Sequence, residues 1–250
     1  MSDHIIQAVD VNKSFDAVTA AKNINIAVPV GSVWSLIGSN GAGKTTFVNM
    51  VTGYIKPDSG RILFDGEDIT GVEPRTISRR GICRSFQIPQ LCAELSVLEN
   101  MLIALAVRQE RKPSFYARAQ SAANIDLAMI ELEKFNLAML RDNRMSEISA
   151  GSRKLLDIAM AIAGHPKVVM LDEPTSGVAA EEKFPIMDLV MEVLANEQVT
   201  ILFIEHDMDI VTRYSERIIA FYDGEIIAND TPEEALSDLN VQRYVTGTAK

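Results

Sequence analysis

The apolar run Val33–Ile37 stops at Gly38-Ser39-Asn40-Gly41-Ala42-Gly43-Lys44-Thr45, and the residues from Lys44 to Val51 then have helical character. This segment constrains the fold more than any other. Its pattern is Gly, four residues, Gly, Lys, then Ser or Thr, and the order strand, glycine loop, helix is the one a phosphate-binding loop needs. A triphosphate is densely anionic, so its site requires close backbone approach, many N–H donors and a positive point charge. The glycines allow the approach, the following helix offers its N-terminus, Lys44 reaches the outer phosphates and the Thr45 hydroxyl suits Mg2+. On this reading Gly38, Ser39, Asn40, Gly41, Ala42, Gly43, Lys44, Thr45 and Thr46 hold the nucleotide.

Strand-like runs recur on either side. Ile5–Val11 and Ile24–Val30 are short and β-rich, and Arg61–Phe64 ends at the turn signal Asp65-Gly66. Val168–Leu171 and Thr200–Ile204 are compact apolar runs of the kind buried in parallel sheets, and Arg217–Tyr222 and Glu225–Ala228 flank the hairpin signal Asp223-Gly224. From about Ser96 the texture changes: Val97–Arg108 and Ala117–Leu140 carry helical apolar spacing. The expected fold is α/β, a P-loop NTPase core with a mixed sheet, an antiparallel β region and an inserted helical subdomain. The expected organisation is a single domain over residues 1–250, with 1–92 and 160–250 as core and 93–159 as the helical part.

Val168–Leu171 runs into Asp172-Glu173. In a parallel sheet the side chains at a strand's carboxyl end face the ligand crevice. Asp172 is then placed to hold the water shell of Mg2+, and Glu173 to polarise an attacking water. Strands ending in solvated acids are common, and the glycine loop upstream selects the catalytic reading. Ile148-Ser149-Ala150-Gly151-Ser152 precedes a helix expected from about Arg153 to Ala163, and a Ser at a helix start makes an anion-binding N-terminus.

Ser149 lies 23 residues before Asp172, a placement that resembles the signature motif of the ABC ATPases. Other positions fall into line with that family. Gln87 resembles the Q-loop glutamine, His206 the switch histidine, Phe15 the aromatic that stacks on adenine, and Ser176–Ala179 the D-loop. The resemblance spans essentially the whole chain. Leu36–Thr46, Gly81–Gln87, Ser96–Asn100, Ile204–Met208, Thr231–Ala235 and Val241–Tyr244 are similar to the ATPases of branched-chain amino acid importers. The resemblance implies ATP and Mg2+ as cofactors, Glu173, His206 and Lys44 as catalytic residues, and Thr45, Gln87 and Asp172 at the metal. It also implies that Phe15 and Gln87 contact the nucleotide and that Ser149 and Gly151 complete the site of a facing domain. The implied partners are a second ABC ATPase subunit, a copy or a sister chain, and transmembrane permease subunits. The implied location is cytoplasmic, peripheral on the inner face of the cell membrane. The sequence departs from the family at Ala150 and Ser152, where Gly and Gln are usual, and at Ala179, where Asp or Asn is usual.

Composition removes other classes. The longest apolar run is Met101–Val107, seven residues, against the ~20 that span a bilayer. Met1–His4 lacks the basic start of a secretion signal, so a membrane role is expected to come through a partner. The net charge of −10 argues against nucleic acid as a partner. Cys83 and Cys92 show no metal or redox spacing and are expected to be reduced and structural. Arg75, Arg79, Arg80 and Arg84 form a basic cluster, read either as a solvated helix face or, as the resemblance implies, as a dock for a membrane subunit to which Arg108–Lys112 also contributes. The alternative is a soluble, non-transport ABC ATPase of metal-cluster assembly or repair; the acidic charge and the lack of cysteine ligands oppose it.

Overall fold

The computed structural model describes residues 3–85, 91–108 and 121–248. Strands β1 (His4–Phe15) and β2 (Val18–Pro29) form a long antiparallel hairpin that brings Phe15 opposite Val18. Asp16 makes the turn at φ 49, the left-handed conformation that tight hairpins need and that Asp tolerates better than most residues. β3 (Val33–Gly38) leaves this sheet, and helix α1 (Lys44–Val51) follows it. β4 (Ser59–Phe64) returns antiparallel to β1, and β5 (Glu67–Asp68) closes a four-stranded sheet of order β2-β1-β4-β5.

The second sheet receives β6 (Ile82–Arg84) after helix α2 (Pro74–Arg80), then β7 (Val168–Asp172), β8 (Thr200–Ile204), β9 (Arg217–Tyr222) and β10 (Glu225–Asp230). Its order is β10-β9-β3-β8-β7-β6; all neighbours are parallel except β9 and β10, so the sheet is mixed, as expected. Every residue of β7 and β8 is buried, which is why both read as continuous apolar runs rather than alternating ones. Alternate side chains feed two cores. Leu36, Val168, Met170 and Leu202 pack toward the antiparallel sheet and Phe47 of α1, while Ile37, Val169, Leu171 and Phe203 pack toward the helices on the other face.

Those helices begin with α3 (Val97–Arg108) and α4 (Ala122–Lys134), which pack on α5 (Ala150–Ile162) through Met101, Leu105, Leu132 and Leu156. The helix expected over 117–140 is shorter where it is described. Asn136 takes φ 57 and stops α4, and the chain continues as a 3-10 turn at Ala138–Leu140. Helices α6 (Ala180–Asn196), α7 (Met208–Tyr214), α8 (Pro232–Ser237) and α9 (Leu239–Val241) complete the layer. The parallel register sets Leu36 beside Ile204 and Ile204 beside Asp172, so the glycine loop, Asp172-Glu173 and Glu205-His206 all emerge at one edge.

Candidate active site

The loop after β3 is held on two sides. Gly43 caps α1 at φ 110, and a Cβ there would stand 2.4 Å from the carbonyl oxygen of Ala20 on β2, so a side chain is excluded twice over. On the other side, the Gly224 N–H of the β9–β10 turn donates to the Ala42 carbonyl at 3.1 Å. Lys44 is 5% exposed, and its ammonium donates to the carbonyls of Gly38 at 2.6 Å and Ser39 at 3.1 Å. Burial lowers its pKa, and the carboxylates of Glu173 and Asp172 partly offset that shift.

At the end of β7, Asp172 accepts from Arg84 Nη2 at 2.5 Å, and Arg84 Nη1 donates to Asn49 Oδ1 on α1 at 2.6 Å. Glu173 has φ 48, a backbone conformation that costs a non-glycine residue about 1–3 kcal/mol and persists where the surroundings impose it. Its N–H donates to the Ile204 carbonyl at 3.0 Å, and its Oε1 lies 3.2 Å from His206 Nε2. Glu205, the residue before His206, is 4% exposed, and its carboxylate accepts from Thr175 and from the His206 N–H. Lys154 on α5 is 2% exposed and reaches the Asp172 carbonyl at 3.3 Å. Burial lowers its pKa against the raising influence of Asp157, Asp172, Glu205 and Glu173.

A cavity of about 290 Å³ is lined by loop residues 40–46 with Asp172, Glu173, Ile204 and His206. Most of the residues expected at the nucleotide therefore meet in one place, and the Gly38 and Ser39 carbonyls join them through Lys44. Thr45 and Asp172, two of the expected metal residues, share the cavity; among the described residues no His, Cys, Asp and Glu cluster forms a metal site of its own. Phe15 is not among the cavity's lining residues; it is exposed at the end of β1 with Lys13 Nζ 5.3 Å from its ring centre. Ser149 caps α5, accepting from the Ser152 N–H, and the two hydroxyls stand 3.1 Å apart. Gly151 is buried where α5 meets α6, beside Ile186. Gln87 lies outside the described residues. Cys83 is buried and Cys92 exposed, and neither is in a disulfide.

The basic cluster needs one correction. Arg75, Arg79 and Arg80 are exposed on α2, but Arg84 belongs to β6 and is turned inward onto Asp172, because a strand neighbouring β7 directs it to that carboxylate. The three exposed arginines line a separate groove of about 940 Å³, whose lining also includes Leu105, Val107 and Glu131. The sequence reading missed Arg84 as a site residue, along with Lys154, Glu205 and Asn49. Glu205 had a signal, a carboxylate at the carboxyl end of a parallel strand next to His206. Lys154 had none, since a lysine on an amphipathic helix is ordinarily solvated.

A glycine loop between strand and helix, facing two acids and a histidine across a parallel sheet edge, defines a nucleotide-hydrolysing cassette. The chain belongs to the ABC transporter family, whose pattern matches residues 21–176. It is an ATP-binding, ATP-hydrolysing member of that family. It is 36% identical over 246 residues to the probable branched-chain amino acid transport ATP-binding protein LivG of Archaeoglobus fulgidus, covering 97% of this chain and 95% of that one. It is 35% identical over 257 residues to the high-affinity branched-chain amino acid transport ATP-binding protein LivG of Escherichia coli K12, with both chains fully covered. Among solved structures it is similar to the ADP conformation of MJ1267, an ATP-binding cassette of an ABC transporter, with TM-score 0.85, 34% identity and 97% and 98% of the two chains covered. No helix among the described residues is long and apolar enough to cross a membrane.

Proposed function

We propose that the chain is the ATPase subunit of an importer for branched-chain amino acids or a similar small polar solute, working against the inner face of the cell membrane. The observation that carries this reading is the convergence of Lys44, Thr45, Asp172, Glu173 and His206 on one cavity, in a chain similar over its full length to transport ATP-binding proteins. Residues 1–92 and 160–250 serve as the nucleotide core and 93–159 as the helical part.

The chemistry is positioning and charge neutralisation. Lys44 leaves the loop carbonyls for the outer phosphates, and the N–H groups of residues 38–46 surround them. The oxygen donors of Thr45 and Asp172 suit a hard cation, with Gln87 as the further expected ligand; a Mg2+ held there would neutralise phosphate charge. Glu173 orients the attacking water and accepts its proton, and His206, whose Nε2 stands 3.2 Å from Glu173 Oε1, holds the γ-phosphate geometry. Phe15 stacks on the adenine. Ser149 and Gly151 act on the γ-phosphate bound by a facing ATPase subunit, so ATP closes the pair and hydrolysis releases it. Transmembrane permeases dock in the groove lined by Arg75, Arg79, Arg80, Leu105 and Val107, a surface that is both cationic and apolar.

The test is Glu173→Gln, comparing ATP hydrolysis and ATP-dependent dimerisation with wild type in Mg2+. Hydrolysis that collapses while ATP now traps a closed pair supports the reading. Unchanged hydrolysis in the variant removes Glu173 from the chemistry and overturns the assignment of the site.

A further inference from the structure

We infer that Glu205 is a positioning residue for hydrolysis, a buried carboxylate that bridges Thr175 and His206 and thereby sets how Glu173 and His206 face each other. The inference rests on the reading of Glu173 and His206 given above. Glu205 Oε1 accepts from the Thr175 N–H at 3.0 Å and the Thr175 hydroxyl at 2.5 Å, and Oε2 accepts from the His206 N–H at 3.0 Å. Thr175 is two residues beyond Glu173 and is itself 3% exposed. The circuit then closes on itself: His206 Nε2 stands 3.2 Å from Glu173 Oε1, and the Glu173 N–H is bonded to the carbonyl of Ile204, the residue before Glu205.

Two features single out this carboxylate. Glu173 holds a left-handed backbone, which needs its neighbours pinned, and the three donors on Glu205 all belong to residues within two positions of Glu173 or His206. A buried carboxylate is also expensive unless it is hydrogen-bonded and charge-compensated. Here all three bonds are made, and the ammonium groups of Lys154 and Lys183 are near enough to feel its charge. A carboxylate is the group the geometry asks for, because both of its oxygens face donors. An amide of the same shape would turn its own N–H groups toward either Thr175 or His206 and lose one side of the bridge.

The experiment compares Glu205→Gln, Thr175→Val, their combination and Glu173→Gln in the transporter assembly that carries this chain. It measures ATP hydrolysis across ATP concentration and the affinity for trinitrophenyl-ATP. The expected result for Glu205→Gln is a fall of about tenfold in kcat with KM and analogue affinity within about twofold of wild type, because misplacement of reacting groups acts on the chemical step. Thr175→Val shows the same split at smaller size, and the combined variant is no slower than Glu205→Gln alone. Wild-type kcat in Glu205→Gln overturns the inference, as do a parallel rise in KM and loss of analogue affinity or additive losses in the combined variant. If Glu205→Gln fails to fold, Thr175→Val decides by the same split. Glu173→Gln separates the two claims. Hydrolysis surviving in it overturns the site assignment and this inference together, whereas loss there with wild-type rates in Glu205→Gln overturns the Glu205 role alone.

Discussion

Arg84 on β6 and Asp172 on β7 form an ion pair at 2.5 Å with side chains only 9% and 11% exposed. The guanidinium also holds Asn49 of α1, so one cation ties the end of β7 to the helix that follows the glycine loop. Forming such a pair gains little net stability, because desolvation offsets the attraction, but removing one partner leaves the other charge stranded.

Arg84→Met should therefore destabilise the nucleotide-free protein by about 3 kcal/mol. At this chain length that corresponds to a fall of about 10 °C in Tm. The double variant Arg84→Met/Asp172→Leu should recover much of the loss, since no buried charge is then stranded. Urea unfolding of the single and double variants checks this, and a single variant within about 0.5 kcal/mol of wild type would show that the pair is solvated in solution.

What the sequence made readable follows from the range of the interactions. The glycine loop, the acids after β7 and the apolar strands are written in consecutive residues, and each was assigned to the right element. The β1–β2 hairpin was half seen. Its inner ends alternate apolar and polar, but Asn12, Lys13 and Lys22 continue the strands without an apolar signal, and the Asp16-Ala17 turn lacks the usual glycine. The contacts that tune the site were invisible for a different reason. Arg84 meets Asp172 across 88 residues and Glu205 meets Thr175 across 30, and each becomes a neighbour only through the parallel register of β6, β7 and β8. Charge composition pointed the wrong way for Arg84, because arginines close in sequence look like one exposed cluster.

Ala179, one of the departures from the family, caps α6 at φ −61 and ψ 147 without a side-chain acceptor. The extended conformation of a capping residue is already in place, so an acceptor added there needs no backbone change. Ala179→Asp should stabilise the chain by about 1 kcal/mol. Repulsion from Glu181 and Glu182 in the same turn will trim that gain. The check is a rise of about 2–4 °C in Tm by scanning calorimetry. An unchanged or lowered Tm would mean that the added carboxylate fails to bond the α6 N–H groups.

The buried lysines give stability an alkaline signature. Burial lowers the pKa of Lys154 below its ordinary 10.5, so the folded protein releases this proton at lower pH than the unfolded chain does. In the window beneath 10.5 the unfolded state binds more protons, and the contribution of Lys154 to stability rises with pH. Below the folded-state pKa the full cost of burying the charge is felt. Lys44 is shifted the same way, while Lys134 and Lys183, raised by their carboxylate partners, lose stabilisation above 10.5. Lys154→Met isolates one of these groups, because methionine does not titrate. The stability of wild type relative to the variant should increase steadily as pH is raised toward 10.5 in urea titrations. A difference that shrinks with pH would mean that the fold stabilises the charged form.

The proposed docking groove beside α2 is distinct from the cavity that holds the catalytic residues. Arg75 and Arg79 are exposed and lie on its wall, whereas Lys44, Glu173 and His206 line the other cavity. Reversing both charges, Arg75→Glu/Arg79→Glu, changes surface residues, whose substitution usually alters stability by less than about 0.5 kcal/mol. Affinity for trinitrophenyl-ATP should stay within about twofold of wild type, since screening over about 10 Å at ordinary salt leaves the nucleotide cavity little affected. Recovery of the chain in the membrane fraction of cells expressing its partner subunits should fall at least about tenfold, the scale of about 1.4 kcal/mol of lost docking energy. Sedimentation of membranes at low and moderate salt checks this. Wild-type recovery at both salt concentrations would remove the arginine wall from the docking surface and leave Leu105 and Val107 as the part of the groove to test next.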